Sequence, residues 1–113
     1  MSHDCMTPMN ADSEPHPFFS IIVPCCQVAR YVDDMVASVR RQSFADWECI
    51  LSVEESSDTT EAKCRAVASA DARFRVIVGP KSGSPATPRN RGLSLAKGRY
   101  AVWLDGDDLL ADE

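Results

Sequence analysis

Asp105, Gly106, Asp107 and Asp108 have the residue types and spacing to hold a cation. Two carboxylates at positions i and i+2 of a chain reversal can converge on a hard ion. Magnesium and manganese are commonly bound by one or two carboxylates together with substrate phosphate oxygens. Gly106 between them permits a tight backbone and close approach of a ligand. A plainer reading stands beside this one: aspartates after a strand often only cap the next helix, and Asp108 before Leu109-Leu110 suits that role. Other chemistries written in similar letters do not fit. A calcium loop needs a ligand at its fifth position, a glycine at its sixth and a glutamate at its twelfth, whereas Leu109 and Leu110 stand here. An aspartyl phosphatase would carry its nucleophile after an early strand. GPKSGS lacks the spacing of a phosphate-binding loop, and no G-x-G-x-x-G follows the first strand.

The elements that must position these aspartates are legible as a rhythm. FFSIIVP is an apolar, β-branched run closed by Pro24, which predicts a strand near 19–23. Val28, Val32, Met35, Val36 and Val39 then recur at helical spacing, with Asp33, Asp34, Arg40 and Arg41 on other faces. WECILSV (47–53) predicts a second strand. Ser57 or Asp58 can cap the helix that follows, with Glu61 in its first turn where a carboxylate suits the helix dipole. RFRVIV (73–78) predicts a third strand and GPKSGSPATP a loop. Pro88 suits the first turn of a helix ending at Gly98, and YAVWL (100–104) predicts a fourth strand.

Strands alternating with helices predict an α/β fold: an open, mostly parallel sheet with helices on both faces and right-handed crossovers. Near-continuous apolar runs in three of the strands agree with a sheet covered on both sides. Ligands of such sheets bind outside the carboxyl ends of the strands, which is where Asp105 to Asp108 fall.

Composition narrows the class. Residues 1–17, rich in Pro, Ser, Asp and Met, show no periodicity and read as a disordered leader ahead of a domain over 18–113. They lack the basic start and apolar stretch of a secretory signal. No run approaches the ~18 apolar residues of a membrane span. Twelve basic against 17 acidic residues give a net charge of −5, without the basic stripe of a nucleic-acid binder. Cys5, Cys25, Cys26, Cys49 and Cys64 form no C-x-x-C pair and leave one over, which predicts reduced thiols and a cytoplasmic setting. Cys49 and Cys64 read as small core residues.

Two stretches resemble a known family. FSIIVPCCQVARYVDDMVASVRRQSFADWECIL resembles the opening of the family 2 glycosyltransferases, which have the GT-A type of fold. TPRNRGLSLAKGRYAVWLDGDD resembles their Arg-Asn-x-Gly-Leu, Gly-x-Tyr and Asp-x-Asp-Asp segment. The resemblance covers about Phe18 to Glu113 and implies the Rossmann-like, nucleotide-sugar-binding N-terminal half of a GT-A domain, truncated before its acceptor half. It further implies transfer of a sugar, with inversion, from a nucleotide-diphosphate donor to an acceptor glycan, lipid or protein. A UDP-sugar stands first among the donors. In those terms Asp105 and Asp107 are the acidic pair for Mg2+ or Mn2+. Pro24, Cys25 and Gln27 line the nucleoside pocket, Arg89 is the loop arginine facing the nucleotide or a surface residue of its helix, and Asn90 and Arg91 brace the loop. The general base is expected beyond Glu113, so the chain is expected to bind donor with little turnover of its own.

The sequence also departs from that pattern. The family's Val-Tyr-Asn is Cys25-Cys26-Gln27 here, and the aspartate expected to meet the base is Val53, with Glu54 as the available substitute. Pro85 and Pro88 stiffen the loop that keeps Gly83. A catalytically inactive nucleotide-diphosphate-binding module is the alternative, and a generic α/β interaction domain with a capping acidic turn is a third.

Overall fold

A computed structural model of the chain describes residues 6–8, 18–42, 46–84 and 86–104. The elements run β1 (Met6–Pro8), β2 (Phe19–Cys25), α1 (Ala29–Arg40), β3 (Trp47–Glu54), α2 (Thr60–Ala70), β4 (Phe74–Gly79), α3 (Ala86–Leu93) and β5 (Tyr100–Trp103). They form one sheet in the order β1-β5-β2-β3-β4. β5, β2, β3 and β4 are mutually parallel, and β1 joins β5 antiparallel, pairing Met6 with Val102 and Pro8 with Tyr100. The predicted α/β sheet is present. Met6–Pro8, within the stretch expected as a leader, pair as a strand: β5 would otherwise present unpaired backbone groups on that edge, and these three residues of backbone satisfy them.

Pairing register sorts the side chains into two unlike faces. Ile21, Val23 and Cys25 of β2 align with Cys49, Leu51 and Val53 of β3 and with Phe74, Val76 and Val78 of β4. This face is apolar and packs on Val32, Met35, Val36 and Val39 of α1 and Cys64 of α2. The opposite face carries Ser20, Ile22, Glu48, Ile50, Ser52, Glu54 and Arg75 and is covered by α3. β3 is buried along its whole length although three of its eight residues are Glu, Ser and Glu. Each of those polar groups is satisfied under α3. The Ser52 hydroxyl donates to the Pro88 carbonyl (2.6 Å) and so fixes α3 on the sheet.

Glu48 is the centre of the largest such network. Its Oε2 accepts from the Ser20 hydroxyl and from the Lys97 amide, both at 2.6 Å, and its Oε1 accepts from Arg75 Nη1 at 3.0 Å. Arg75 also donates to the Leu95 carbonyl (3.0 Å), and the Gly98 amide donates to Ser20 Oγ (2.7 Å). The third helix was expected to reach Gly98 but ends at Leu93, because residues 95–98 turn down onto this carboxylate. Tighter bonds close that end, from Leu95 N to the Gly92 carbonyl and from Ala96 N to the Leu93 carbonyl. Strand β2 runs on through Pro24, two residues beyond its last pairing with β5 at Ile22, where a missing amide disrupts less of the ladder.

A second charged cluster closes the amino end of β4. Asp71 accepts from Arg73 Nη2 (3.0 Å) and from Arg40 Nε (3.3 Å). Those guanidinium groups lie over Trp47 and Phe74, with centroid distances of 4.1 and 5.3 Å, and the two rings meet edge to face. Hydrogen bonding from Arg73 is the largest influence lowering the Asp71 pKa, to about 2.

Two predictions follow from this packing. A Cβ on Gly98 would lie 2.6 Å from Ser20 N and 2.7 Å from Phe19 C, whereas one on Gly92 would meet only side-chain atoms, the nearest being the Ile22 methyl at 2.7 Å. Overpacking costs about 1–3 kcal/mol, so Gly98→Ala falls at the upper end and Gly92→Ala at the lower, as read by urea unfolding. For Asp71 the folded pKa lies below the ordinary value, so its contribution is whole above about pH 4 and is lost as pH falls toward about 2. Unfolding free energies of wild type and Asp71→Asn should differ most near neutrality and converge across that window.

Candidate functional site

Chain order and sheet order together locate a crevice. From β2 the chain moves through α1, β3 and α2 to β4 on one side, then returns through α3 to β5 on the other side of β2. The direction of winding therefore reverses between β2 and β5, and such switch points open a cleft at the carboxyl ends of the strands. The walls are the segment from Pro24 to Gln27 and the end of β5. The Leu104 amide still donates to the Ile22 carbonyl (3.1 Å), so the described part of that wall reaches the level of Val23. Asp105 and Asp107 lie outside the described residues. Among the described residues, no group of three or more His, Cys, Asp or Glu side chains could hold a metal ion.

The fold brings Pro24 and Gln27 to the crevice, but it turns the Cys25 side chain away. Strand alternation points that thiol into the apolar layer under α1 and α2, where it is 1% exposed and donates to the Val23 carbonyl (3.4 Å). A hydrogen bond to the Cys64 thiol, followed by burial, holds the Cys25 pKa well above its ordinary value, while the same bond lowers that of Cys64. Burial raises Cys49 likewise. Cys25, Cys26, Cys49 and Cys64 are all free thiols. Cys25 can thus face the crevice only through its backbone, which corrects the expectation for its side chain.

Glu54 ends β3, 4% exposed as a residue, with its carboxylate under the loop that follows β4. The Ser82 hydroxyl donates to its Oε2 at 2.6 Å, and Arg91 Nη1 stands 3.8 Å from the same oxygen. Gly79 makes this arrangement possible, since a Cβ there would lie 2.3 Å from the Arg91 guanidinium carbon. Arg91 Nη1 is buried without a hydrogen-bond acceptor among the described residues. Arg89, the expected loop arginine, is half-buried on α3 two residues before Arg91, and Asn90 between them is exposed. Arg91 passes close to Gly79 to stand beside Glu54. Its partnership with Glu54 and Ser82 was not read from the sequence. A buried glutamate at a strand end demands a donor, and the glycine closing β4 was the available signal for where one could pass.

Gln27 is held in the left-handed region, with φ +56°. Its Nε2 donates to Ser57 Oγ (2.9 Å), its Oε1 accepts from the Ser57 amide, and its own amide donates to Ser56 Oγ (3.0 Å). Asp58, expected as a cap for α2, does more than that. Its Oδ1 accepts from the Thr60 amide (3.0 Å) and hydroxyl (2.5 Å), and its Oδ2 accepts from the Ala29 amide at the start of α1 (3.2 Å). The Val28 amide in turn donates to Thr60 Oγ1 (3.0 Å). Hydrogen bonding from Thr60 is the largest influence lowering the Asp58 pKa, as befits a carboxylate at two helix amino termini.

The fold matches that of S. aureus TarS residues 1–349 with a TM-score of 0.74 and 28% identity, over 80% of this chain and 28% of that one. Structures of that protein have been solved with UDP and with UDP-GlcNAc. A mannosyltransferase from Pyrobaculum calidifontis, solved with GDP-Man and Mn2+, shares the fold at 21% identity and a TM-score of 0.72, over 84% of this chain and 29% of its own. The Escherichia coli UDP-Glc:α-D-GlcNAc-diphosphoundecaprenol β-1,3-glucosyltransferase WfgD is 31% identical over 90 residues, which are 80% of this chain and 35% of that protein. The chain thus spans about a third of the length of such relatives. The Glycosyl transferase family 2 model matches residues 20–113, including the Arg-Asn-x-Gly-Leu segment on α3, β5 and the aspartates after it, and the chain belongs to that family.

Proposed function

We propose that this chain carries the donor-binding part of a glycosyltransferase that moves a sugar, with inversion, from a nucleotide-diphosphate donor to a glycan, lipid or protein acceptor. The observation that carries the reading is the crevice between β2 and β5. Family 2 sequence runs along both of its walls, and the same fold in TarS has been solved with UDP-GlcNAc. A UDP-sugar is accordingly the donor proposed first.

Asp105 and Asp107 suit Mg2+ or Mn2+ by the chemistry of their donor atoms, two carboxylates spaced to share a hard ion with phosphate oxygens. Such an ion would neutralise charge on the departing diphosphate. The chain's own residues do the rest of the donor-side work. Backbone groups of Pro24, Cys25 and Gln27 line the nucleoside wall. Glu54 stands behind that wall and takes its charge balance from Arg91 and a hydrogen bond from Ser82, so it orders the loop leading into α3, the helix whose Arg89 faces the nucleotide. The acceptor base is assigned to no described residue. Asp33 and Glu61 lie on helix surfaces and pair with Lys63 and Arg65.

A thermal melt with UDP and MnCl2 tests the reading. Ligand at a hundredfold excess over Kd stabilises by about 2.7 kcal/mol. The wild-type Tm should therefore rise by several degrees with both ligands together and little with either alone, and Asp107→Asn should abolish the rise. A wild-type melt indifferent to the pair, or an equal rise in Asp107→Asn, overturns it.

A further inference from the structure

The loops after β2 and β3 leave adjacent parallel strands, Cys25 beside Val53, and both lead to helices on the same face of the sheet. Nothing in that topology requires them to touch, yet they are tied at several points. Gln27 and Ser57 exchange side-chain and backbone hydrogen bonds, and the Gln27 amide reaches Ser56. Asp58 takes the first amides of α1 and α2 on its two oxygens, and Thr60 takes Val28. Backbone amides at two helix starts, which a cap, water or a ligand must otherwise satisfy, are thereby taken up by side chains at the start of α2. The cost is visible at Gln27, a residue with a Cβ held at positive φ. Backbone strain of this kind persists only where surrounding contacts over-determine it.

We propose that Gln27 and Asp58 are positioning residues of the donor site: they set the nucleoside wall of the crevice by locking the β2–α1 loop to the β3–α2 loop, with the Gln27 side chain turned toward Ser57 and only its backbone offered to the ligand. This deepens the donor-site reading and rests on it. It also narrows the expectation that Gln27 lines the nucleoside pocket to its backbone. The carboxamide oxygen accepts from the Ser57 amide and its nitrogen donates to Ser57 Oγ, which turns the side chain toward the β3–α2 loop. A wall fixed before binding spares the donor the entropy of ordering it.

Gln27→Gly separates positioning from stability, because it removes the amide bonds while relieving the left-handed backbone. The two effects on folding oppose each other, so the Tm should stay close to wild type. Binding of UDP in the presence of MnCl2, followed by calorimetric titration at a temperature where both proteins are fully folded, should weaken roughly tenfold, the scale of ordering one or two loop side chains. Asp58→Asn, which keeps one acceptor oxygen and loses the other, should weaken binding in the same assay. Wild-type affinity in Gln27→Gly, with the wild-type protein binding UDP, overturns the positioning role and leaves the donor site standing. Failure of the wild-type protein to bind UDP overturns the donor-site reading and this inference with it.

Discussion

A carboxylate sealed inside a protein must be given donors, and in this chain Glu48 is given three, from three different parts of the sequence. Ser20 comes from β2, Arg75 from β4 and the Lys97 amide from the turn before β5. Removing any one donor would leave the buried carboxylate short of a partner, so the set behaves as a single fastening. Because Lys97 and Gly98 are tied to β3 and β2 there, β5 can enter the sheet in only one register. That register sets the level at which β5 ends beside β2, so the carboxyl ends of these strands are aligned from their amino ends.

The two faces of the sheet divide the labour. Toward α1 and α2 lies a layer of Val, Ile, Leu, Met and Cys side chains that supplies the burial on which a small domain depends. Toward α3 lies a row of polar groups: Ser20, Glu48 and Arg75 at one end, Ser52 in the middle, Glu54 at the other. Each is bonded to a backbone or side-chain group brought over by α3 or its flanking loops. The apolar side holds the sheet together. The polar side orients α3, and it does so with directional bonds that the apolar layer cannot provide.

Much of this was readable in the sequence because periodicity reports burial. The four parallel strands fall where their apolar runs lie, and the parallel order follows from the alternation of strands with helices. The family resemblance pointed to the crevice walls. What stayed hidden depends on contacts between residues far apart in the chain. Nothing local says that Cys25 faces inward, since that requires knowing which parity of β2 meets α1. Glu48 and Glu54 look like solvent-side residues of a half-buried strand until α3 is placed over them. Residues 95–98 continue a helical pattern in sequence and leave it only because Glu48 competes for the Lys97 amide. Met6–Pro8 carry no strand signature, and their pairing is a property of the edge of β5. Asp58 was legible as a cap for one helix, but the second depends on the side-by-side placement of α1 and α2.

The Ser20–Gly98 hydrogen bond joins residues 78 apart in sequence, whereas Ser20 and Glu48 are separated by 28. Closing the longer loop costs about 0.9 kcal/mol more chain entropy than closing the shorter one. The units from β2 to β4 can assemble in chain order through nearby contacts, and β5 then has to be threaded back past all of them to reach β2. Topology thus makes β5 the late arrival in folding, and the crevice exists only once it has docked. A ligand gripping both walls would add its binding free energy to the completed sheet alone, so filling the site and finishing the fold draw on one shared equilibrium.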